Sequence, residues 1–145
     1  MRIFLAGIMQ GSHVRALVHD QTYRTTFRDL VQEHWPHAEV YDPFANHSTS
    51  VAYDMRHARE VFTKHVDMCG EFDLVIAFVP EASMGTAIEM WEAHTHGRTV
   101  ITVTPLIHNW VVQLASDAVF QNLEEFTHAL HTNVIDSILE QQKAM

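Results

Sequence analysis

Uninterrupted apolar runs recur along this chain, and three of them occupy residues 3–6, 74–79 and 99–103. A strand with one solvent-facing side alternates apolar and polar residues, so unbroken runs indicate strands that are buried on both faces. The sequence therefore predicts three central strands of a parallel sheet.

The segments between these runs predict the rest of the fold. Residues 14–35 and 51–68 have helical spacing, and a short strand at residues 39–41 ends at Asp42-Pro43. Beyond Pro105 we expect a short helix at residues 109–114, a strand at 118–120 and a helix from Leu123 toward Gln142. This alternation predicts an α/β, doubly wound, flavodoxin- or Rossmann-like fold, with a mostly parallel five-stranded sheet and helices on both faces. Its ligand site is expected beyond the carboxyl ends of the strands.

Length and charge narrow the class of protein. The chain has 145 residues, of which 47% are hydrophobic, and a net charge of −9, so we expect one domain over residues 1–145 and no binding to a nucleic-acid polymer. Cys69 is the single cysteine and forms no internal disulfide, and the first apolar run is too short to span a membrane. We expect a cytoplasmic protein without membrane contact.

Twelve histidines raise the question of a metal site. The pairs His94/His96 and His128/His131 are close enough in sequence to share a metal, but no acidic or cysteine partner stands at a zinc-like spacing. Surface or helix-capping histidines explain the same pattern. We expect no metal and no cofactor.

A glycine-containing turn follows the first strand. Gly7, Gln10, Gly11 and Ser12 lie within it, and its glycines let backbone amides approach a ligand. Ser12 would cap the next helix, whose positive end favours a phosphate. A tight strand-to-helix turn needs glycine even where nothing binds, so the turn alone does not establish a site.

A second polar turn follows the strand at residues 74–79. Ser83, Gly85 and Thr86 open a helix that suits an oxyanion, and Glu89 lies about one turn into that helix. A carboxylate there is held near a ligand. It could equally be an ordinary first-turn glutamate that complements the helix dipole.

The pattern Ser83-x-Gly85-Thr86-x-x-Glu89, together with the opening Ile3-Phe4-Leu5-Ala6-Gly7, resembles the nucleoside 2-deoxyribosyltransferase superfamily. It is most similar to the branch of nucleoside 5′-monophosphate N-glycosidases, over residues 1 to about 125. The resemblance implies that Glu89 attacks the anomeric carbon of a small-molecule nucleotide or nucleoside. It also implies that Ser83, where transferases tend to carry an acidic residue, contacts a 5′-phosphate. The reaction that the resemblance implies is therefore hydrolysis of a nucleoside 5′-monophosphate to free base and pentose 5-phosphate.

Two departures from the family pattern stand out. Phe4 occupies a position where many deoxy-specific members have tyrosine, which suggests either that ribonucleotides are accepted or that Phe4 only fills the core. The family carries a second carboxylate about eight residues before the aspartate that opens the third strand. Here that aspartate is Asp73, and the residue eight positions before it is His65, with Asp67 two residues later. Asp67 either takes that catalytic role at the leaving base or is a solvated helix residue.

Four further residues are candidates for substrate contact. Asp42 and Phe44 lie on a loop that leaves the second strand toward the same crevice, where Phe44 or His47 could stack on a base. The resemblance implies that Asn109 reaches into the active site of a neighbouring subunit, which requires a homodimer or larger assembly with shared sites. Asn109 could also be a simple helix N-cap.

Other functions remain open at this point. Base exchange by a deoxyribosyltransferase and a nucleotide sensor without turnover fit the same pocket. The phosphoribohydrolases of the lysine-decarboxylase-like fold share the glycine-threonine turn, but the Pro-Gly-Gly-x-Gly-Thr run that they carry is here Pro80 to Thr86 without the first two glycines.

Overall fold

One parallel sheet organises the chain, and the computed structural model describes all of its residues, 1–145. The strands are β1 (Arg2–Gly7), β2 (Glu39–Tyr41), β3 (Leu74–Phe78), β4 (Thr99–Val103) and β5 (Ala118–Phe120). They are ordered β2-β1-β3-β4-β5, and all neighbours run parallel. The predicted doubly wound α/β fold is confirmed.

Seven α-helices connect the strands or follow them. They are α1 (Tyr23–His34), α2 (Pro43–Asn46), α3 (Met55–Glu71), α4 (Met84–Thr95), α5 (Trp110–Ala115), α6 (Leu123–His131) and α7 (Val134–Ala144), with a 3₁₀ turn at Ser50–Ala52. None of these helices has the length and apolar character needed to cross a bilayer.

The two faces of the sheet carry separate cores. Ile3 and Leu5 of β1 point to one face, which α1, α6 and α7 cover through residues such as Phe27 and Phe126. The alternate β1 residues, Phe4 among them, point to the other face, which α3, α4 and α5 cover. Because both faces are buried, the central strands need no polar residue at alternate positions, which explains their unbroken apolar runs.

The helix expected at residues 14–35 begins only at Tyr23. Residues 8–22 form a loop that is tied back to a strand end by the Ile8 amide donating to the Phe78 carbonyl at 3.1 Å, and within the loop the His19 amide donates to the Met9 carbonyl at 2.6 Å. Val14 and Leu17 are largely exposed, so their helical spacing marks no buried face. Consequently Ser12 caps no helix.

Two other helix boundaries differ from the sequence expectation. Asp54 accepts from the His57 amide at 2.8 Å and starts α3 at Met55, four residues after the expected position. The expected last helix is two helices, because Asn133 adopts a left-handed conformation with φ of 57° between α6 and α7. Left-handed backbone interrupts a right-handed helix, and asparagine tolerates it better than most residues.

Candidate functional site

A cavity of about 570 Å³ opens where β1 and β3 lie side by side. Gly7 at the end of β1 is in register with Phe78 at the end of β3, and the following segments lead to helices on opposite faces of the sheet. This is the topological switch point of the fold, where doubly wound proteins bind ligands. Six predicted residues line the cavity: Gly7, Gln10, Gly11, Ser83, Gly85 and Glu89.

Glu89 is the one carboxylate among the residues that line the cavity. It lies in the second turn of α4, so it is not a first-turn residue that complements the helix dipole. Burial raises the pKa of Glu89 to about 7, and the nearby Arg24 guanidinium opposes this rise. A half-buried carboxyl group that titrates near neutral pH in a cleft is a candidate for catalysis.

The Arg24 guanidinium is 2% exposed and lies between the end of β1 and the cavity. It donates to the carbonyls of Leu5 at 3.0 Å and Gly7 at 3.2 Å, and it pairs with Asp42 at 3.2 Å. Sequence reasoning missed Arg24. The available signal was a cation at an α1 position in helical register with Phe27, within the buried stripe of that helix.

Asp42, predicted to contact substrate, does not line the cavity. Its carboxylate is buried, accepts from the Phe44 amide at 2.9 Å as the N-cap of α2, and holds Arg24. Asp42 therefore acts on the site through Arg24.

The turn before α4 is built as a helix N-terminus that faces the cavity. Ser83 is the N-cap, with its Oγ 2.9 Å from the Thr86 Oγ1. A Cβ atom placed on Gly85 would meet nothing within 4 Å, so this residue borders open space. By contrast, a Cβ on Gly7 would collide with the Tyr23 hydroxyl. Gly7 is thus required by packing, whereas Gly85 leaves the N-terminus of α4 accessible to a ligand.

The loop after β1 brings some of its predicted residues to the cavity and leaves others outside. Gln10 and Gly11 line the cavity, and Gly11 has the positive φ of 53° that favours glycine. Ser12 is exposed and outside it, and its amide donates to the Glu81 carboxylate at 3.2 Å. The expected Ser12 phosphate contact is therefore not formed by a helix N-terminus.

The structure does not bring Asp67 into the cavity. Asp67 is exposed and lies in a shallow surface cleft with Lys64 and Glu71. Residues two apart on a helix point about 200° apart, and here His65 takes the inward position. No second carboxylate faces Glu89, which corrects the expectation for Asp67.

Phe4, Phe44 and Asn109 also lie outside the cavity lining. Phe4 is fully buried and stacks on Tyr41 with 5.6 Å between the ring centroids. This agrees with the interpretation that Phe4 only fills the core. Asn109 is exposed, and its side chain accepts from the Val111 amide at 3.0 Å, which makes it the N-cap of α5.

Of the two residues considered for stacking on a base, His47 lines the cavity and Phe44 does not. Sequence reasoning gave no role to three further lining residues, Tyr53, Arg59 and His65, which bring hydroxyl, guanidinium and imidazole groups from the 3₁₀ turn region and α3. The cavity lining thus holds two arginines, Arg24 and Arg59, and one carboxylate, Glu89, although the whole chain has a net charge of −9. No three histidine, cysteine or acidic side chains are grouped in a way that could hold a metal ion.

Comparison with known proteins finds likeness at the level of structure. Models of protein families give no match to the sequence, and curated proteins give none either. A 2-deoxyribosyltransferase from Bacillus psychrosaccharolyticus superposes with a TM-score of 0.64 at 14% identity, over 88% of this chain and 90% of that one. A conserved protein from Enterococcus faecalis V583 gives 0.63 at 17% identity, over 91% and 98%.

A third solved structure is the CMP N-glycosidase of Clostridium botulinum, with a TM-score of 0.54 at 22% identity over 91% of this chain and 99% of that one. These three likenesses show that the chain has the fold of the 2-deoxyribosyltransferase and the CMP N-glycosidase. The fold that the resemblance in the sequence implied is thereby confirmed.

The burial of Glu89 predicts a pH-dependent stability change. Its pKa is about 7 in the folded chain against 4.5 for a free side chain, so the folded state loses stability as pH rises from 4.5 to 7. Glu89→Gln removes this penalty. We expect a gain of up to about 3 kcal/mol in the free energy of unfolding at pH 8 that disappears below pH 4.5.

Urea unfolding of both proteins across this pH range measures the difference. Glu140→Gln, which removes an exposed carboxylate on α7, is the control and should show no such gain. A Glu89→Gln effect that does not change with pH would contradict the buried, proton-linked state of Glu89.

Proposed function

We propose that this protein is an N-glycosidase that hydrolyses a nucleoside 5′-monophosphate to free base and pentose 5-phosphate, with Glu89 as the nucleophile. The observation that carries the proposal is the position of Glu89. It is the single carboxylate of a switch-point cavity whose other ionisable lining is mainly basic. A carboxylate in that position can attack a sugar carbon while its neighbours hold an anionic substrate.

The reaction assigned to Glu89 runs in two displacements. The ionised carboxylate forms a bond to the anomeric carbon as the carbon–nitrogen bond breaks, and the electron pair of that bond leaves with the base. Water then attacks the same carbon, releases Glu89 and gives its proton to solvent. Arg24 opposes the effect of burial on Glu89 and so keeps a useful fraction ionised near neutral pH.

The N-terminus of α4 supports a phosphate at one end of the cavity. Ser83 and Gly85 border that end, and the helix dipole adds partial positive charge. Arg59 also lines the cavity, is exposed, and pairs with no carboxylate of the chain. A phosphate dianion is the substrate group that best matches this combination of donors.

Ser83 favours a 5′-phosphorylated substrate, and in the family that the sequence resembles such substrates are hydrolysed by the N-glycosidases, whereas the transferases tend to carry an acidic residue at this position. A hydroxyl there can donate to a phosphate, whereas an acidic side chain would repel it. The CMP N-glycosidase of Clostridium botulinum, which shares the fold, acts on such a monophosphate. The 2-deoxyribosyltransferase with the same fold makes base exchange the second candidate.

An apolar surface next to the site supports a homodimer. Large side chains that are about half exposed or more extend along α4 and α5, and we name them the α4–α5 face: Met84, Ile88, Trp91, Trp110 and Leu114. Exposed apolar groups of this size usually mark an interface. Met84 belongs both to this face and to the cavity lining, and Asn109 is the residue before α5. A partner bound here would lie beside the active site.

Incubation with nucleotides tests the central assignment. Purified protein should release one free base from a panel of ribo- and deoxyribonucleoside monophosphates, as followed by chromatography. Glu89→Gln should lower the rate by at least about 10³-fold, because it removes the nucleophile. Glu92→Gln, which makes the same change on α4 outside the cavity lining, should stay active.

Either of two results would contradict the N-glycosidase assignment. Release of base by Glu89→Gln at the parent rate would remove Glu89 from the reaction. Exchange of a labelled free base into an unphosphorylated nucleoside, without hydrolysis of any monophosphate, would establish the transferase.

Charge at position 83 tests the phosphate site. Asparagine and aspartate both cap helices well, so Ser83→Asn and Ser83→Asp should both preserve α4. We expect Ser83→Asp to raise the KM for a monophosphate by at least about 10-fold more than Ser83→Asn does, because only aspartate repels the phosphate. Steady-state kinetics with the matching unphosphorylated nucleoside is the control. An equal effect on both substrates would argue against phosphate at Ser83.

Mixing two inactive variants tests shared active sites. Glu89→Ala and Asn109→Ser each inactivate a site, and serine preserves the N-cap of α5. Random exchange between equal amounts makes half of the dimers mixed, and each mixed dimer regains one complete site. The mixture should therefore recover about a quarter of the parent activity. No recovery, in a mixture shown by mass spectrometry to contain hybrid dimers, would rule out sharing through Asn109.

A further inference from the structure

His65 lines the cavity at the position in α3 where the sequence resemblance led us to expect a second carboxylate. Its side chain extends from α3, is 8% exposed, and lines the same cavity as Glu89. Aromatic rings surround it, with ring centroids of Phe4, Tyr41 and His47 at 6.0, 5.7 and 5.2 Å. We name this part of the cavity, where aromatic rings surround His65, the aromatic end; Ser83 lies instead at the N-terminus of α4.

One ring nitrogen of His65 has a protein partner and the other has none. The Tyr41 hydroxyl lies 3.1 Å from Nε2. Nδ1 makes no hydrogen bond within the chain, and it is not among the side-chain atoms that are buried without a partner. His65 as a whole is 8% exposed and lines the cavity, so we place Nδ1 at the cavity.

The partner of Nε2 indicates which nitrogen carries the proton. The Tyr41 hydroxyl has no other acceptor in the chain, so donating to Nε2 satisfies both groups. The opposite arrangement leaves the hydroxyl proton unpaired next to a buried ring. The favoured tautomer therefore has its proton on Nδ1, facing the cavity.

His65 is uncharged at neutral pH. Burial lowers the pKa of His65 to about 4, and the charges of His47, Lys64 and Arg24 act in the same direction. A neutral imidazole does not transfer a proton readily, but its N–H can donate a hydrogen bond to a group that gains negative charge. Such a neutral histidine acts as an electrophile in triosephosphate isomerase.

We propose that His65 donates a hydrogen bond from Nδ1 to the leaving base and stabilises the charge that develops on it when the glycosidic bond breaks. This inference rests on the proposed N-glycosidase function and assigns the base to the aromatic end of the cavity. The base is an uncharged ring and matches Phe62 and Tyr53, which also line the cavity, whereas the phosphate matches the N-terminus of α4.

The assignment keeps the proton balance of the reaction simple. Glu89 gains the bond to the anomeric carbon, and the electron pair of the broken bond goes to the base nitrogen. His65 keeps its proton and shares it in a hydrogen bond, and water protonates the base afterwards. Tyr41 is a positioning residue because it acts through the tautomer of His65.

Two substitutions of His65 distinguish the role of Nδ1, at the cavity, from the role of Nε2, at the Tyr41 hydroxyl. Glutamine places its amide near the Nε2 position and leaves the cavity position empty, whereas asparagine places its amide near Nδ1. We expect His65→Gln to lower kcat/KM by about 10²-fold, as for loss of one donor to a developing charge, and His65→Asn to lose much less. His128→Gln, on the exposed side of α6, is the control.

Leaving-group dependence distinguishes a catalytic contact from a structural one. The probes are the monophosphate that the parent cleaves and its ring-fluorinated analogue, whose base is a better leaving anion. His65→Gln should slow the unsubstituted nucleotide at least about 5-fold more than the fluorinated one, because the latter needs less stabilisation. Equal losses for both nucleotides would overturn the role of His65 while leaving the N-glycosidase function intact. If no nucleotide is cleaved by the parent, the proposed function fails first.

Nitrogen-15 NMR of the histidine rings tests the inference without a variant at His65. Free protein should show His65 as the neutral tautomer protonated on Nδ1. In Glu89→Gln, which binds nucleotide without turnover, the Nδ1 proton resonance should shift downfield on addition of the nucleotide. An imidazolium, the opposite tautomer, or no shift on binding would overturn the proposal.

Discussion

The site depends on the contacts of one buried group, the guanidinium of Arg24. It satisfies two carbonyls at the end of β1 and pairs with Asp42 at the start of α2, so it fixes three segments around one charge. A buried ion pair contributes little net stability, but removing one partner leaves an uncompensated charge. Arg24 thereby makes the arrangement of β1, α1 and the segment after β2 specific.

Burial favours the uncharged form of two side chains that line the cavity, Glu89 and His65. Burial raises the pKa of Glu89 and lowers the pKa of His65, because it penalises a carboxylate and an imidazolium alike. The cation of Arg24 assists ionisation of Glu89 and opposes protonation of His65. One fixed positive charge thus favours a carboxylate that can attack and an imidazole that can donate without charge.

Sequence patterns predicted most clearly the elements whose signal is local. Continuous apolar strands, the Asp42-Pro43 break and the Ser83-x-Gly85-Thr86 turn all appear where expected. The helix at residues 14–35 was misplaced at its start because Val14 and Leu17 have helical spacing but no surface to pack against. Periodicity shows which residues could share a face, not whether anything covers that face.

The sequence by itself determined the parallel α/β sheet, and it predicted a site at the carboxyl edge of that sheet with Glu89 as its carboxylate. Only the tertiary structure decided which neighbours Glu89 has. It turned Asp67 to the surface and His65 inward, and it buried Arg24 beside the cavity. The physical reason is that strand and turn signals arise from neighbouring residues, whereas the direction of a helix face and the pairing of a buried charge depend on segments far apart in the chain.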